Sequence, residues 1–391
     1  SVRRALRENR SGITVQPDWS KFRGLQTRLG GAVKDFTLPP EYPRKKTRGM
    51  GRVAQLSTRA TELALRDARL FDHPALHDGN TGVAYGTTSG SPPAIEVYAR
   101  HIMQELTLKG ISPNDYIQLM SHTSAANLGQ FFEIRGRIVP TCSACTSGSQ
   151  GIGYGFEAIQ HGLQECMVTG GAEELHVVNA AVFDIMFATS TRNDAPSSTP
   201  RPFDVTRDGL VVSEGAGTLV LEALDHELAR EAPIHAELLG FATNCDGEHM
   251  THPGGDGMER VMRTALASAR CEPSDIDYVN AHGTGTETGD IAESQATARV
   301  FGARVPVSTL KGAMGHTLGA CGALEAWMSI EMMREGWCAP TLNLENVDPR
   351  CGDVDFVRGA CRDVRMERVM SNNFAFGGVN TSLIFGRWEG A

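Results

Sequence analysis

Three side chains in this sequence are of the types that do acyl chemistry: Cys145, His282 and His316. Cys145 stands in TCSACTSGSQGIGYGFEAIQHG, residues 141–162. That stretch reads as a strand end, a tight turn of small residues and a helix. Ile152, Phe156 and Ile159 fall at helical spacing, and Gly162 is a stop signal. A thiol where a helix begins faces unpaired N–H groups and the positive end of the helix dipole. Both favour thiolate, the nucleophilic form. Ala144, Ser147 and Gly148 leave room for a substrate beside the sulfur. A small cysteine buried in a packed turn is the other reading of the same residues.

His282 follows an apolar strand and opens a glycine-threonine loop, AHGTGTETGD, while His316 sits in a glycine turn before a helix. Each alone is more often a structural histidine. Taken with Cys145, all three stand at strand-to-helix turns, which gather at one edge of a parallel sheet, where ligands bind. A thiolate can accept an acyl group as a thioester. A second thioester bearing a carboxylate can then lose CO2, leaving an enolate whose oxygen needs hydrogen-bond donors. Neutral imidazoles suit that task, since each donates one N–H. Lys311 and Glu325 can pair nearby and set the local field, or form an ordinary ion pair.

Other constellations are weaker. Cys142 and Cys145 make a C-x-x-C without the partner pair or thioredoxin-like context that zinc or redox chemistry needs. Asp246, His249 and His252 form a D-x-x-H-x-x-H run whose spacing is not a strong zinc pattern. The loop 283–289 lacks the GK[ST] end of a P-loop. No metal site is expected.

The elements that must position these groups come in a repeated order. An amphipathic helix over residues 53–70 precedes the strand TGVAY and the loop GTTSG; a helix over 258–269 precedes a strand at 276–280 and the His282 loop. The His316 segment repeats the design of the Cys145 segment. Two βαβ-rich halves imply a duplicated α/β fold with buried sheets, and Pro233 marks the boundary between 1–232 and 233–391. A basic helix over Ser1–Ile13 starts the chain, and residues 39–52 form a basic loop that is either a solvated turn or a landing patch for an acidic partner.

Bulk properties narrow the class. The chain has 391 residues, 41% hydrophobic and 21% charged, with 43 dispersed glycines, as a chain with many tight turns would. Its net charge of −9 argues against a nucleic-acid binder with a wholly basic surface. It has no apolar run long enough to span a bilayer and no signal-peptide pattern at its start. Its nine cysteines are odd in number and irregularly spaced, pointing to reduced thiols and the cytoplasm.

The motifs together resemble a β-ketoacyl-[acyl carrier protein] synthase of the thiolase-like fold. They are SACTSG around Cys145, GGAEE at 170–174, STRND at 190–194, RPFDVTRDG at 201–209, NAHGTGTETGD at 280–290, KGAMGHTLGACG at 311–322 and SNNFAFGGVN at 371–380. Each is weak alone, and their shared order is specific. FDIMFATST and GGAEEL resemble the type I bacterial elongation enzymes more than type II. The resemblance implies a five-layered αβαβα architecture of two pseudo-duplicated halves, with the nucleophile in the first and both histidines and a gating loop in the second. It implies Cys145 as acyl acceptor, His282 and His316 as promoters of decarboxylation, and Lys311 with Glu325 as their supporting pair. It implies an oxyanion hole from the N–H groups of Cys145 and Phe376, and a gate at Phe376 beside Gly377. Thr284 and Thr286 match positions that bind a phosphopantetheine arm, Ser89 falls near the acyl-pocket floor, and Lys45 and Arg48 match positions that meet an acidic carrier protein. The implied partners are acyl carrier protein, acyl and malonyl thioesters and a second copy in a homodimer. No cofactor is expected beyond the pantetheine arm carried by the substrate, and neither nucleic acid nor membrane is a partner.

The implied reaction is decarboxylative condensation in fatty acid elongation. A polyketide-type ketosynthase and a non-catalytic chain-length or carrier-binding partner are the alternatives, and thiolase is disfavoured because Phe376 and Gly377 stand where its second cysteine would be. The chain departs from the family in lacking the first strand of the first half, which implies residues ahead of Ser1. It also has Met314, Ala375 and Val379 where the family has Thr, Gly and Thr. Alanine at 375 restricts the backbone more than glycine and implies a stiffer gate.

Overall fold

One layer of helices serves two β-sheets at once, and that sharing brings distant segments of the chain together. The computed structural model describes residues 2–390; Ser1, where the sequence starts its basic helix, and Ala391 lie outside them. The first sheet has strands β1 (Thr81–Gly86), β2 (Ile138–Thr141), β3 (Cys166–Glu173) and β4 (Gly215–Glu222) in the order β2-β1-β3-β4. β1 runs parallel to both its neighbours, and β4 closes the sheet antiparallel to β3. The second has β5 (Glu237–Cys245), β6 (Tyr278–Asn280), β7 (Pro306–Ser308), β8 (Asp355–Phe356), β9 (Arg368–Ala375) and β10 (Val379–Gly386) in the order β8-β7-β6-β9-β10-β5. Strands β8, β7, β6 and β9 are parallel, and β9-β10-β5 are antiparallel.

The outer face of the first sheet is covered by α1 (Arg52–Asp67) and α2 (Thr123–Phe132). Between the sheets lie α3 (Ser147–Gln160) and α4 (Cys321–Glu335), each packed on strands of both. The far face of the second sheet carries α5 (Gly255–Ser268) and α6 (Glu287–Phe301). This is the five-layered αβαβα architecture of thiolase-like proteins. Amphipathic stripes build the outer layers: α1 buries Val53, Leu56 and Leu65 on one side and leaves Leu63 exposed. The central helices are buried nearly all round, as a doubly covered layer must be. At about 1.5–3 kcal/mol for each fully buried large apolar side chain, residues such as Ile152, Tyr278 and Trp337 hold the layers together.

The element reading of the sequence holds with small shifts. The basic helix is shorter than read, Val2–Arg7, and Arg7 reaches back to Glu335 at 3.1 Å. The helix Pro92–Ala99 widens to a π-turn at Arg100–Gln104. Gly148 has a different use from the one its size implied. A Cβ there would lie 2.9 Å from the Gly319 carbonyl, so the glycine lets the turn carrying Cys145 touch the turn carrying His316. Two-layer contact, not substrate space, selects it.

Candidate active site

Cys145 lies in a 3-10 turn, Ala144–Thr146, between the end of β2 and the start of α3. Ala144 has φ +50°, a left-handed conformation that costs a non-glycine residue free energy. Local bonds offset that strain. Ser147 Oγ donates to the Ala144 carbonyl at 2.7 Å and accepts from Ser143 N–H at 2.9 Å, and Thr146 Oγ donates to the Ser143 carbonyl at 2.7 Å. His316 leaves the turn before α4, and Ser213 N–H donates to its carbonyl at 2.8 Å. His282 follows β6, where its N–H and that of Gly283 donate to the Glu293 carboxylate at 2.6 and 2.7 Å.

These turns converge. Cys145 Sγ and one ring nitrogen from each of His282 and His316 all lie within 4.8 Å of one another, and all three residues are buried. His316 Nε2 is 3.0 Å from Cys145 Sγ. On the other side of that ring, Leu318 N–H donates to Nδ1 at 3.2 Å. Nδ1 is therefore the acceptor, and in the neutral ring Nε2 carries the proton and donates to sulfur. That tautomer leaves Nε2 no lone pair for a metal ion. The His282 ring stands edge-on to His316, with centroids 5.1 Å apart.

Electrostatics follow from burial. Desolvation holds the pKa of both imidazoles well below the ordinary histidine value, helped by Lys311. They stay neutral donors at physiological pH. Burial also pushes the Cys145 thiol up to about 12, against the downward pull of Lys311. Desolvation thus opposes the thiolate that the helix start favours in the sequence reading. Beneath the three groups, Lys311 and Glu325 form an ion pair with both side chains fully buried. Asn373 Nδ2 donates to the other Glu325 oxygen at 2.7 Å. Lys311 is shifted upward because its carboxylate partner overcomes the burial that opposes its charge.

A cavity of about 540 Å³ opens onto Cys145, His282 and His316. Thr284 and Thr286 line it, their hydroxyls 2.9 Å apart, and so does half-buried Phe376, whose ring packs on Phe183 at 5.2 Å. The Phe376 N–H has no hydrogen-bond partner among the described residues, which leaves it available at the cavity. Gly377 stands at the hairpin turn with φ +86°, and its N–H donates to the Met250 carbonyl at 2.7 Å. Ser89 is half-buried in the loop after β1 and is not part of the cavity wall. Lys45 and Arg48 are exposed on the short helix Arg44–Thr47 and its cap, and neither has an ion pair among the described residues. Lys46 does, with Glu133 at 2.7 Å.

The competing constellations come apart. Cys142 is exposed, Cys145 is buried, and both are free thiols. Asp246 accepts from Asn380 Nδ2 at 2.6 Å and from Gly254 N–H at 2.9 Å, and His249 Nδ1 accepts from the main chain of Thr251 and His252. Three buried residues escaped the sequence reading. Glu173, in the GGAEE motif, accepts N–H bonds from Thr88 and Gly319 at 3.1 and 3.0 Å and so ties the loop after β1 to the turn after His316. Burial pushes its carboxyl up to about 7. Asn373 and Cys321 sit inside motifs that were noted, and only the fold shows that they face Glu325 and the Cys145 turn.

Comparison with known proteins agrees with this geometry. The family model for the β-ketoacyl synthase N-terminal domain matches residues 1–227, and that for the C-terminal domain matches residues 235–345. The chain is similar to 3-oxoacyl-[acyl-carrier-protein] synthase 1 of Haemophilus influenzae, 36% identical over 99% of this chain and 94% of that protein. Its fold matches the crystal structure of a β-ketoacyl synthase from Burkholderia phymatum, with TM-score 0.97 and 54% identity over 99% of this chain and 95% of that one. A type II polyketide ketosynthase solved with its acyl-carrier protein matches with TM-score 0.89 and 26% identity over 99% and 94%.

Proposed function

The chain belongs to the β-ketoacyl synthase family, and from that premise we propose that it condenses an acyl group held on Cys145 with a malonyl group carried by acyl carrier protein, in fatty acid elongation. The observation that carries the reading is the 3.0 Å approach of His316 Nε2 to Cys145 Sγ at the base of the cavity, with neutral His282 beside them.

Cys145 Sγ attacks the acyl thioester carbonyl, and the oxyanion is held by the Cys145 and Phe376 N–H groups. The pantetheine thiol departs with the proton that Cys145 loses. The malonyl thioester then enters, and its carbonyl oxygen takes hydrogen bonds from the N–H groups of His282 and His316. Loss of CO2 leaves an enolate, whose carbon attacks the Cys145 thioester. Collapse releases the β-ketoacyl thioester, and the Cys145 sulfur is free to regain a proton. Neutral donors serve here because they stabilise the enolate oxygen without protonating it in the ground state. Lys311 and Glu325 hold the field around the histidines.

Thr284 and Thr286 bind the pantetheine arm, and Phe376 with Gly377 gates the acyl pocket in this reading. Ser89 lies outside the cavity wall and takes no part in this reading. Lys45 and Arg48 receive an acidic carrier protein, and their lack of ion-pair partners supports that role. The outer edge of β2 has no strand partner among the described residues, which supports assembly with a second copy there. The halves divide at 232/233, between β4 and β5. No helix among the described residues is long and apolar enough to cross a membrane, which supports a cytoplasmic enzyme. The only other component is the pantetheine arm on the substrate.

Incubating the purified protein with acyl- and malonyl-carrier, and measuring CO2 with the β-ketoacyl product by mass spectrometry, tests the assignment. CO2 release with chain extension is the expected result. Acyl-carrier binding with neither CO2 nor a Cys145 adduct would leave only a binding role. The intact Cys145, His282 and His316 cluster weighs against that outcome.

A further inference from the structure

A second cysteine, Cys321, is buried at the first position of α4, behind the nucleophile and outside the cavity wall. Its sulfur lies 3.3 Å from the main-chain carbonyl of Cys145 and 3.6 Å from Asn373 Nδ2. That Asn373 amide nitrogen also donates to Glu325, and Glu325 holds Lys311. Gly322 lets the amide approach, since a Cβ there would sit 2.8 Å from Asn373 Oδ1. A chain of polar contacts thus runs from the buried ion pair through Asn373 and Cys321 to the backbone of Cys145 itself. We propose that Cys321 is a positioning residue, whose S–H fixes the Cys145 main chain so that sulfur meets His316 and the Cys145 N–H meets the thioester oxygen. The proposal rests on the acyl-transfer reading of Cys145.

Physical chemistry supports the role of donor. Burial pushes the Cys321 thiol well above its ordinary range, so it keeps its proton. A thiol is a weak donor, and the Cys145 carbonyl is within the longer reach that sulfur allows. The turn it steadies includes Ala144 at φ +50°, a strained residue, and the local Ser143, Thr146 and Ser147 bonds come only from within the turn. Cys321 is the contact from the other half of the molecule to that carbonyl. The sequence separation of Cys321 and Cys145 makes the bond a test of docking between the halves.

The experiment compares the parent protein with Cys321→Ala and Cys321→Ser. It reads kcat and KM for acyl transfer to Cys145, the rate of Cys145 alkylation by iodoacetamide at fixed pH with peptide mapping, and the thermal midpoint. We expect Cys321→Ala to lower kcat and the alkylation rate about fivefold to tenfold with KM within twofold, the size of one lost hydrogen bond. Serine, which keeps a donor in nearly the same volume, restores most of both. Alanine at parental rates, or serine failing as badly as alanine while the midpoints fall together, overturns the positioning role in favour of simple packing. Should the parent alkylate at Cys145 yet accept no acyl group, the functional reading fails; the alkylation comparison among the three proteins still decides for or against the positioning role.

Discussion

The Leu318 N–H donates to Nδ1 of His316 at 3.2 Å, and this single bond sets what the rest of the ring does. It places the proton on Nε2, aimed at Cys145 Sγ. His316 is therefore a donor to the sulfur and to an enolate oxygen, not the base that removes the thiol proton. Replacing His316 by Ala removes one donor from the developing oxyanion, so decarboxylation should fall about 100- to 1,000-fold. Glutamine keeps a side-chain N–H and should recover part of that loss. Malonyl-carrier decarboxylation, assayed as CO2 release, decides between these outcomes.

Acid should affect stability before it affects the donors. Both imidazoles have folded pKa values well below 6.5, whereas in the unfolded chain they titrate at the ordinary value. Below pH 6.5 the unfolded state therefore binds more protons, and stability falls as pH is lowered through that range. Activity of the folded enzyme keeps its neutral donors in the same window. The expected result is that, relative to His282→Gln with His316→Gln, the parent loses thermal midpoint between pH 6.5 and 5, the raised carboxyls such as Glu173 acting alike in both proteins, while CO2 release per folded parent molecule shows no limb near pH 6.5. A limb at 6.5 would mean the histidines are not desolvated as the fold places them.

Glu173 works in the opposite sense. Its carboxyl titrates at about 7 in the fold against 4.5 unfolded, so the folded state binds more protons between those values. Its contribution to stability is greatest below about pH 4.5 and is lost as pH rises to about 7. Glu173→Gln keeps an oxygen for the Thr88 and Gly319 N–H groups and removes the titration. The variant should match the parent at acid pH and gain in thermal midpoint relative to it above pH 7. Glu173→Ala strands both donors and should lose about 2–4 kcal/mol at either pH, measured by denaturant unfolding.

The catalytic cluster was legible in sequence because glycine and small residues mark the turns that carry it. Cys145, His282 and His316 each follow a strand and precede a helix, and one sheet-edge rule brings them together. The desolvation of Cys145 was not legible, because the helix end is local and burial depends on the second half docking over it. Glu173, Asn373 and Cys321 escaped for the same reason: their partners are Gly319, Glu325 and the Cys145 carbonyl, all distant in the chain. Gly148 was read as substrate space because the sequence cannot show that Gly319 lies 2.9 Å from its missing Cβ.

Lys311 is the charge around which the site is arranged. Its side chain and that of Glu325 are fully buried, so removing one leaves the other uncompensated. Lys311→Met should cost about 3–5 kcal/mol in denaturant unfolding, and Lys311→Met with Glu325→Leu should recover much of it. Lys311 also helps hold both histidines neutral. In the single variant their pKa values should move up, bringing an acid limb into the decarboxylation profile that the parent lacks. Stability loss without that limb would make the pair purely structural.

Ala375 ends β9, and only Gly377 and Gly378 of the hairpin take positive φ, at +86° and +69°. Alanine is thus compatible with the resting hairpin, and its effect lies in what other conformations the turn can reach. Ala375→Gly should widen the range of backbone angles beside Phe376 and speed transfer of longer acyl groups about twofold to fivefold, since a few tenths to one kcal/mol separates the two residues. A panel of acyl-carriers of increasing length, followed by mass of the Cys145 adduct, reads the change. Identical chain-length profiles in the two proteins would show that the gate is not limited at residue 375.

Docking of an acidic carrier predicts a salt signature on the short helix Arg44–Thr47 and its cap. Lys45 and Arg48 are exposed and carry no ion pair among the described residues, so their field reaches solvent undiminished. The neighbouring Lys46 is held by Glu133 and serves as an internal control. Reversing charge in Lys45→Glu with Arg48→Glu should raise KM for acyl-carrier about tenfold at low ionic strength, mainly through slower association. Because exposed charges are screened within about 10 Å at 0.1 M salt, the difference should shrink as salt is added. The same double variant acting on a pantetheine thioester without carrier protein should keep parental kcat, since neither residue reaches the Cys145 cavity. A KM for carrier that ignores both the charge reversal and the salt would place docking elsewhere on the surface.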